Sequence, residues 1–154
     1  MKNTLLEKII KKTATVGVVG LGYVGLPLSV ALGKAGYKTT GIDIQPNRVE
    51  MVNEAKSYIN DVDDADLEEI VGNGKLEATF CFEPVSGLDC VIICVPTPLD
   101  EHFQPDISYI ADASSETAKY LHRGMLIILE STTWPGTTEE VVKPILESTG
   151  LECG

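Results

Sequence analysis

Apolar and polar positions alternate along this chain in blocks whose period changes. Residues 14–20, ATVGVVG, form an apolar run closed by glycine and predict a strand buried on both faces. Residues 23–36, YVGLPLSVALGKAG, predict a helix closed by Gly36, with Pro27 near the first turn where a missing N–H is least harmful. A second strand is predicted over 37–43, a helix opened by Pro46 over 46–55, a shorter helix over 64–74 and a strand over 75–80. DCVIICVP (89–96) predicts a fully buried, β-branched strand stopped by proline, and TPLDEHFQP a loop. Asp106 then caps a helix with Ile107, Ile110, Ala111, Ser114, Ala118 and Leu121 on one face. GMLIILEST (124–132) predicts the next buried strand. Thr137 with Glu140 fits a capping box for TEEVVKPILESTG, and Pro144 inside that helix predicts a kink.

Strands apolar on both faces and separated by helices predict a parallel sheet covered on both sides. Residues 1–13 stand apart. Leu5, Leu6, Ile9 and Ile10 make one apolar stripe on a short helix, expected to dock on the domain of residues 14–154 or on a partner chain. Glu7 and Lys8 break the apolar run, so it does not read as a signal peptide. No apolar run approaches the ~20 residues of a membrane span, so no membrane partner is expected.

Composition narrows the partners. The chain has 154 residues, 44% of them hydrophobic, enough for one domain with a proper core. Its formal net charge of −11 repels phosphate backbones and argues against nucleic acid. A single anionic cofactor remains open, because a helix N-terminus is locally positive. Cys81, Cys90, Cys94 and Cys153 show no C-x-x-C spacing, and only His102 and His122 could join them, so no metal is expected. Cys90 and Cys94 face one side of their strand by alternation and read as core thiols, in keeping with a reducing cytoplasm.

The densest chemistry lies in VGVVGLGYVGLP (16–27), where Gly20, Gly22 and Gly25 fit G-x-G-x-x-G. Taken alone the pattern is weak. Here it follows a predicted strand and opens a helix, and Asp43 ends the next strand 18 residues after Gly25. Gly20 permits the tight turn, Gly22 lets the backbone approach a pyrophosphate, and Gly25 lets helix pack on strand. Asp43 can accept hydrogen bonds from the adenosine ribose and should repel the extra phosphate of NADP, which predicts NAD. Arg48 reads either as a solvated helix residue or as a contact to the adenosine end; an arginine can also accept that phosphate. A methyltransferase using S-adenosylmethionine shares the glycine loop and the acid, and nothing else here favours it. The pattern predicts an α/β fold with a Rossmann-type doubly wound parallel sheet and helices on both faces.

Three stretches carry a more specific likeness. GLGYVGLPLSVALGKAGYKTTGID, ICVPTPLDE and ESTTWPGTTEEVV, in this order and spacing, resemble the UDP-glucose/GDP-mannose dehydrogenase family at its NAD-binding N-terminal domain. SYINDV and PDISYI look most like the UDP-N-acetylglucosamine 6-dehydrogenase branch, with UDP-N-acetylmannosamine dehydrogenases near by. The resemblance implies oxidation of a nucleotide-sugar C6 alcohol to a carboxylate, with two hydrides passing to two NAD⁺ and a cysteine capturing the aldehyde. It implies that Gly20, Gly22, Tyr23, Val24 and Gly25 form the pyrophosphate loop and Asp43 the ribose acid. Val95, Pro96, Thr97 and Pro98 would line the adenosine and nicotinamide riboses. Glu130, Ser131 and Thr132 would lie near the nicotinamide, with Thr132 helping to order water or substrate at the reacting carbon. Blander readings stay open: VPTP as a strand stop, Thr132 as a strand-end hydrogen bonder, Trp134 as packing.

The family's nucleophilic cysteine lies in a glycine-rich segment of its second half, and no cysteine here matches it. A sixth strand is expected to follow residue 154, with central helical and sugar-nucleotide domains likewise beyond it. The expectation is an NAD-binding piece of a UDP-sugar dehydrogenase, inactive alone, whose full-length form is a homodimer or larger. The rival is a free-standing dinucleotide-binding or regulatory module.

Overall fold

The computed structural model describes residues 2–99 and 104–154. His102 and the centre of the expected loop at 97–105 lie outside them. The elements run α1 (Lys2–Ile10), β1 (Thr15–Val19), α2 (Gly25–Lys34), β2 (Lys38–Ile42), α3 (Pro46–Asn53), α4 (Asp64–Gly72), β3 (Leu76–Thr79), β4 (Cys90–Ile93), α5 (Ser108–Ala118), β5 (Leu126–Leu129) and α6 (Lys143–Glu147). A 3-10 turn over Glu83–Gly87 links β3 to β4, and a π turn over Thr138–Val142 precedes α6.

The five strands form one sheet in the order β3-β2-β1-β4-β5, and every pairing is parallel. Strand order reverses direction between β1 and β4, so the crevice for a ligand opens at the carboxyl ends of those two strands. Helices cover both faces, in agreement with the predicted Rossmann-type architecture. On one face Val16 and Val18 of β1 pack with Val30 of α2, Val49 and Val52 of α3, and Leu67 and Ile70 of α4. On the other, Val19, Ile42, Val91 and Ile93 pack with Val85, Leu88 and Ala113. Cys90 and Cys94 share the first face, as their alternation predicts.

Gly36 closes α2 with φ of +99°, and the Tyr37 and Gly36 N–H groups return to the carbonyls of Leu32 and Gly33. Helix α2 begins at Gly25 rather than 23, because Gly22–Val24 are spent on the turn. Helix α5 likewise starts at Ser108, with the Asp106 carboxylate accepting its N–H at 2.9 Å.

One expectation near the end of the chain fails. Thr137 makes no capping box: its buried hydroxyl donates to the Trp134 carbonyl at 2.9 Å. Pro144 lies in the first turn of α6, directly after a π turn in which the Lys143 N–H reaches the Thr138 carbonyl. The wider turn removes the conflict between the proline ring and the preceding carbonyls. Strand β5 is also less buried than its LIIL sequence predicts, with Leu126 39% exposed, because it pairs only with β4 and forms an edge of the sheet.

Helix α1 lies against the amino ends of the strands. Tyr37 donates its hydroxyl to the Ile9 carbonyl, and the Lys8 ammonium meets the Asp89 carboxylate at 2.5 Å. Leu6 and Ile10 face outward, so the predicted stripe is split. Asp89 also accepts the Thr15 N–H and hydroxyl at 3.0 and 3.2 Å. Burial works to raise the Asp89 carboxyl, but the Lys8 and Thr15 donors outweigh it and hold the group below its ordinary 3.8. A depressed folded-state value stabilises above the unfolded value and is lost as the pH falls through the folded one. Asp89→Asn is therefore expected to lose about 1 kcal/mol at neutral pH, a modest figure because Lys8 is half exposed, and to show a flatter stability profile below about pH 4. Denaturant unfolding at pH 7 and pH 3 measures both; an unchanged acid limb removes Asp89 from the pH response.

Candidate functional site

The glycine loop leaves β1 and enters α2 within a few residues, and its glycines answer different demands. Gly20 has φ of +93°, and a Cβ there would stand 2.7 Å from the Cys94 carbonyl oxygen. A Cβ on Gly25 would overlap the Gly20 carbonyl. Both glycines are therefore required by the fold itself. Gly22 is different: its φ is not positive, and beyond its chain neighbours a Cβ there would meet no atom of the described residues within 4 Å. The space over Gly22 is open, and α2 begins directly beneath it. Val24, the residue preceding α2, offers no side-chain cap, and the first turn holds no acid. Pro27 has no N–H and the Leu26 N–H is taken by the Gly22 carbonyl at 3.0 Å, so the N–H groups of Gly22–Gly25, at the start of α2, form the locally positive cradle. A pyrophosphate fits that cradle in charge and in room.

Asp43, at the end of β2, is 5% exposed. Its Oδ2 accepts the Leu21 N–H at 2.8 Å and the Arg48 Nη1 at 3.3 Å, and its Oδ1 accepts the Gln45 N–H at 2.9 Å. The acid read from the sequence as a ligand for ribose is therefore also a fastener of the loop. Of its roughly four lone-pair positions, one on Oδ1 is left for another donor. Arg48 is not simply solvated: it pairs with Asp43 and lies 5.8 Å from the centroid of the Tyr58 ring.

The loops after β4 and β5 are tied to each other. Ser131 donates its hydroxyl to the Val95 carbonyl at 2.7 Å, and Thr97 donates to the Thr132 carbonyl at 2.6 Å. Pro96 and Pro98 are exposed beside them. Thr132 contributes its carbonyl to this latch, while its exposed hydroxyl makes no hydrogen bond among the described residues. Glu130 is exposed too, its N–H bonded to the Ile93 carbonyl at 2.9 Å. Gly20–Gly25, Asp43, Val95–Pro98 and Glu130–Thr132 all follow carboxyl ends of parallel strands, so the sheet gathers them along one edge. Cavities of about 460 Å³ beside Glu147–Cys153 and about 180 Å³ at Thr15, Lys38 and Glu77 lie away from this edge.

Residues 14–152 match the UDP-glucose/GDP-mannose dehydrogenase family, NAD binding domain. The chain belongs to this family. A UDP-N-acetyl-D-glucosamine 6-dehydrogenase from Pseudomonas aeruginosa is 41% identical over 136 residues, covering 88% of this chain and 31% of that protein. A UDP-N-acetyl-D-mannosamine dehydrogenase from Pyrococcus horikoshii is 38% identical, over 90% of this chain and 33% of its own length. The solved UDP-D-ManNAc dehydrogenase from Pyrococcus horikoshii superimposes with a TM-score of 0.86 at 39% identity, covering 91% of this chain and 34% of that one. A GDP-mannose dehydrogenase from Pseudomonas aeruginosa, solved as a ternary complex, gives 0.84 at 29% identity, over 89% and 33%. The chain thus spans about a third of the length of the relatives it matches.

As a UDP-glucose/GDP-mannose dehydrogenase domain, the chain takes NAD as its cofactor. Three residues at the edge escaped the sequence reading. Ile44, two residues after β2, and Phe80, directly after β3, are 74% and 60% exposed, and Tyr58 reaches Leu21 from the segment between α3 and α4. An apolar residue at or just after the end of a predicted strand was the available signal for the first two. No local pattern marks Tyr58.

The two glycines should separate cleanly on substitution. Gly25→Ala is expected to cost at least about 3 kcal/mol, since backbone must move to admit the methyl group. Gly22→Ala should stay within about 1 kcal/mol of wild type. Thermal unfolding of both variants is the measurement; equal losses would contradict the open space at Gly22.

Proposed function

We propose that the chain is the cofactor-holding part of a nucleotide-sugar 6-dehydrogenase, with UDP-N-acetylglucosamine as the sugar substrate and a C6 alcohol taken to a carboxylate. The observation that carries this reading is the open Gly22 above the uncapped start of α2, with the Asp43 carboxylate beside it. The relatives from Pseudomonas aeruginosa and Pyrococcus horikoshii, dehydrogenases of UDP-N-acetyl-D-glucosamine and UDP-N-acetyl-D-mannosamine, support the substrate class.

In this reading the N–H groups around Gly22, Tyr23, Val24 and Gly25 hold the pyrophosphate, and Asp43 takes one ribose hydroxyl on its remaining Oδ1 position. Its charge discriminates against a 2′-phosphate. Ile44 and Phe80 offer apolar surface at the adenine end. Val95–Pro98, held by Ser131 and Thr97, shape the path toward the nicotinamide. Thr132, whose hydroxyl makes no hydrogen bond among the described residues, stands ready to hold water or substrate there. NAD⁺, when bound, supplies the hydride-accepting carbon.

The buried thiols of Cys90 and Cys94 do not fit a nucleophile's role. Burial pushes Cys90 and Cys94 up to about 11, which leaves almost no thiolate at neutral pH. Cys153 is also raised, by desolvation and by Glu147. The buried thiols of Cys90 and Cys94 accord with a cytoplasmic setting, where we place the protein, within polysaccharide precursor synthesis and as a homodimer or larger in its full-length form.

Titration calorimetry is expected to show NAD⁺ binding, with NADP⁺ weaker by about ten-fold or more. Gly22→Ala should weaken NAD⁺ by a similar factor without a loss of stability, and Asp43→Ala by about 1–3 kcal/mol. Equal binding of NADP⁺, or no effect at Gly22, would overturn the assignment. No NADH should form when these 154 residues are mixed with NAD⁺ and UDP-N-acetylglucosamine; turnover would show that a thiol of this chain is active after all.

A further inference from the structure

Tyr58 stands in SYINDV, between α3 and α4, and its hydroxyl donates to the Leu21 carbonyl at 2.7 Å. Leu21 is the residue between the first two glycines of the loop. Its N–H donates to Asp43 Oδ2 at 2.8 Å. Its side chain is fully buried, and it occupies the room that Gly41 leaves on β2. Arg48 completes a closed ring of contacts: it pairs with the same Asp43 oxygen and lies over the Tyr58 ring.

We propose that Tyr58 is a positioning residue for the cofactor, which with Asp43 grips Leu21 at both its carbonyl and its N–H and so holds the glycine loop in its binding shape before any ligand arrives. The proposal rests on the NAD-binding reading above. Gly20 and Gly22 flank Leu21 and have little intrinsic preference for one conformation. A loop of this kind must either be ordered on binding, at the expense of affinity, or be ordered in advance. The fold orders it in advance through a residue 37 positions away in sequence. The anchor is itself anchored. The Ser57 N–H donates to Asp64 Oδ1 at 2.6 Å, the Ser57 hydroxyl donates to the Ile59 carbonyl at 2.9 Å, and the Tyr58 ring packs against the core. Burial and the Asp43 charge push the phenol up to about 12, so the hydroxyl remains a donor across the working pH range.

Tyr58→Phe keeps the ring beside Arg48 and deletes only the donor. Two measurements test it: amide hydrogen exchange of the ligand-free chain, and calorimetry with NAD⁺. The expected result is faster exchange at residues 22–25 relative to the core amides of Val18 and Val91, with NAD⁺ affinity lower by roughly five-fold. Exchange that rises equally in loop and core would show a merely structural role and overturn the proposal. So would unchanged loop exchange, or faster loop exchange with unchanged NAD⁺ affinity. Should the wild-type chain itself fail to bind NAD⁺, the NAD reading falls, and with it the cofactor role of Tyr58. The exchange data then show separately whether the grip on Leu21 exists.

Discussion

The seating of α2 against the end of β1 is the contact on which the rest of the site depends. The Gly25 α-carbon lies so near the Gly20 carbonyl that no side chain fits between them. The same approach brings Gly25 against Cys94 of the neighbouring strand. Three elements therefore meet where only hydrogen atoms can stand. The result is a helix whose first N–H groups point to the carboxyl edge of the sheet at the place where strand order reverses. A methyl group at Gly25 would tilt or lift α2 and misdirect that cradle, whatever residues surrounded it.

Asp43 joins this geometry to electrostatics. A carboxylate 5% exposed would be unstable without partners, and it has them: two backbone N–H groups and a guanidinium. The donors come from the loop after β1, from the turn before α3 and from α3 itself. Ordering of the acid and ordering of the loop are consequently one event. A donor that approaches Asp43 meets a group that is already held, so less freedom is lost on binding.

Beyond β4 the same logic recurs with neutral groups. Ser131 and Thr97 each bond a carbonyl of the opposite loop, so the segments after β4 and β5 behave as one rim. Two proline residues stiffen one side of it. The π turn at Thr138–Val142 lets the chain leave this rim and still place Pro144 at a helix start. The outer side of β5, in contrast, remains half exposed.

Much of this was legible in the chain itself. Apolar runs of strand length, glycines at fixed spacing and an acid after the second strand determine a doubly wound sheet with a dinucleotide loop, because those signals arise from local sterics and from burial on both faces. Local rules failed where a distant partner competed. Thr137 fits a cap by spacing, yet its hydroxyl is turned to Trp134. LIIL reads as a central strand, yet only one neighbour pairs with it. The grip of Tyr58 on Leu21 and the fastening role of Asp43 have no local signature either. They are contacts between segments 37 and 22 residues apart. Which side chain fills a given hydrogen bond across such a distance is decided by packing of the whole domain, and only the tertiary structure holds that information.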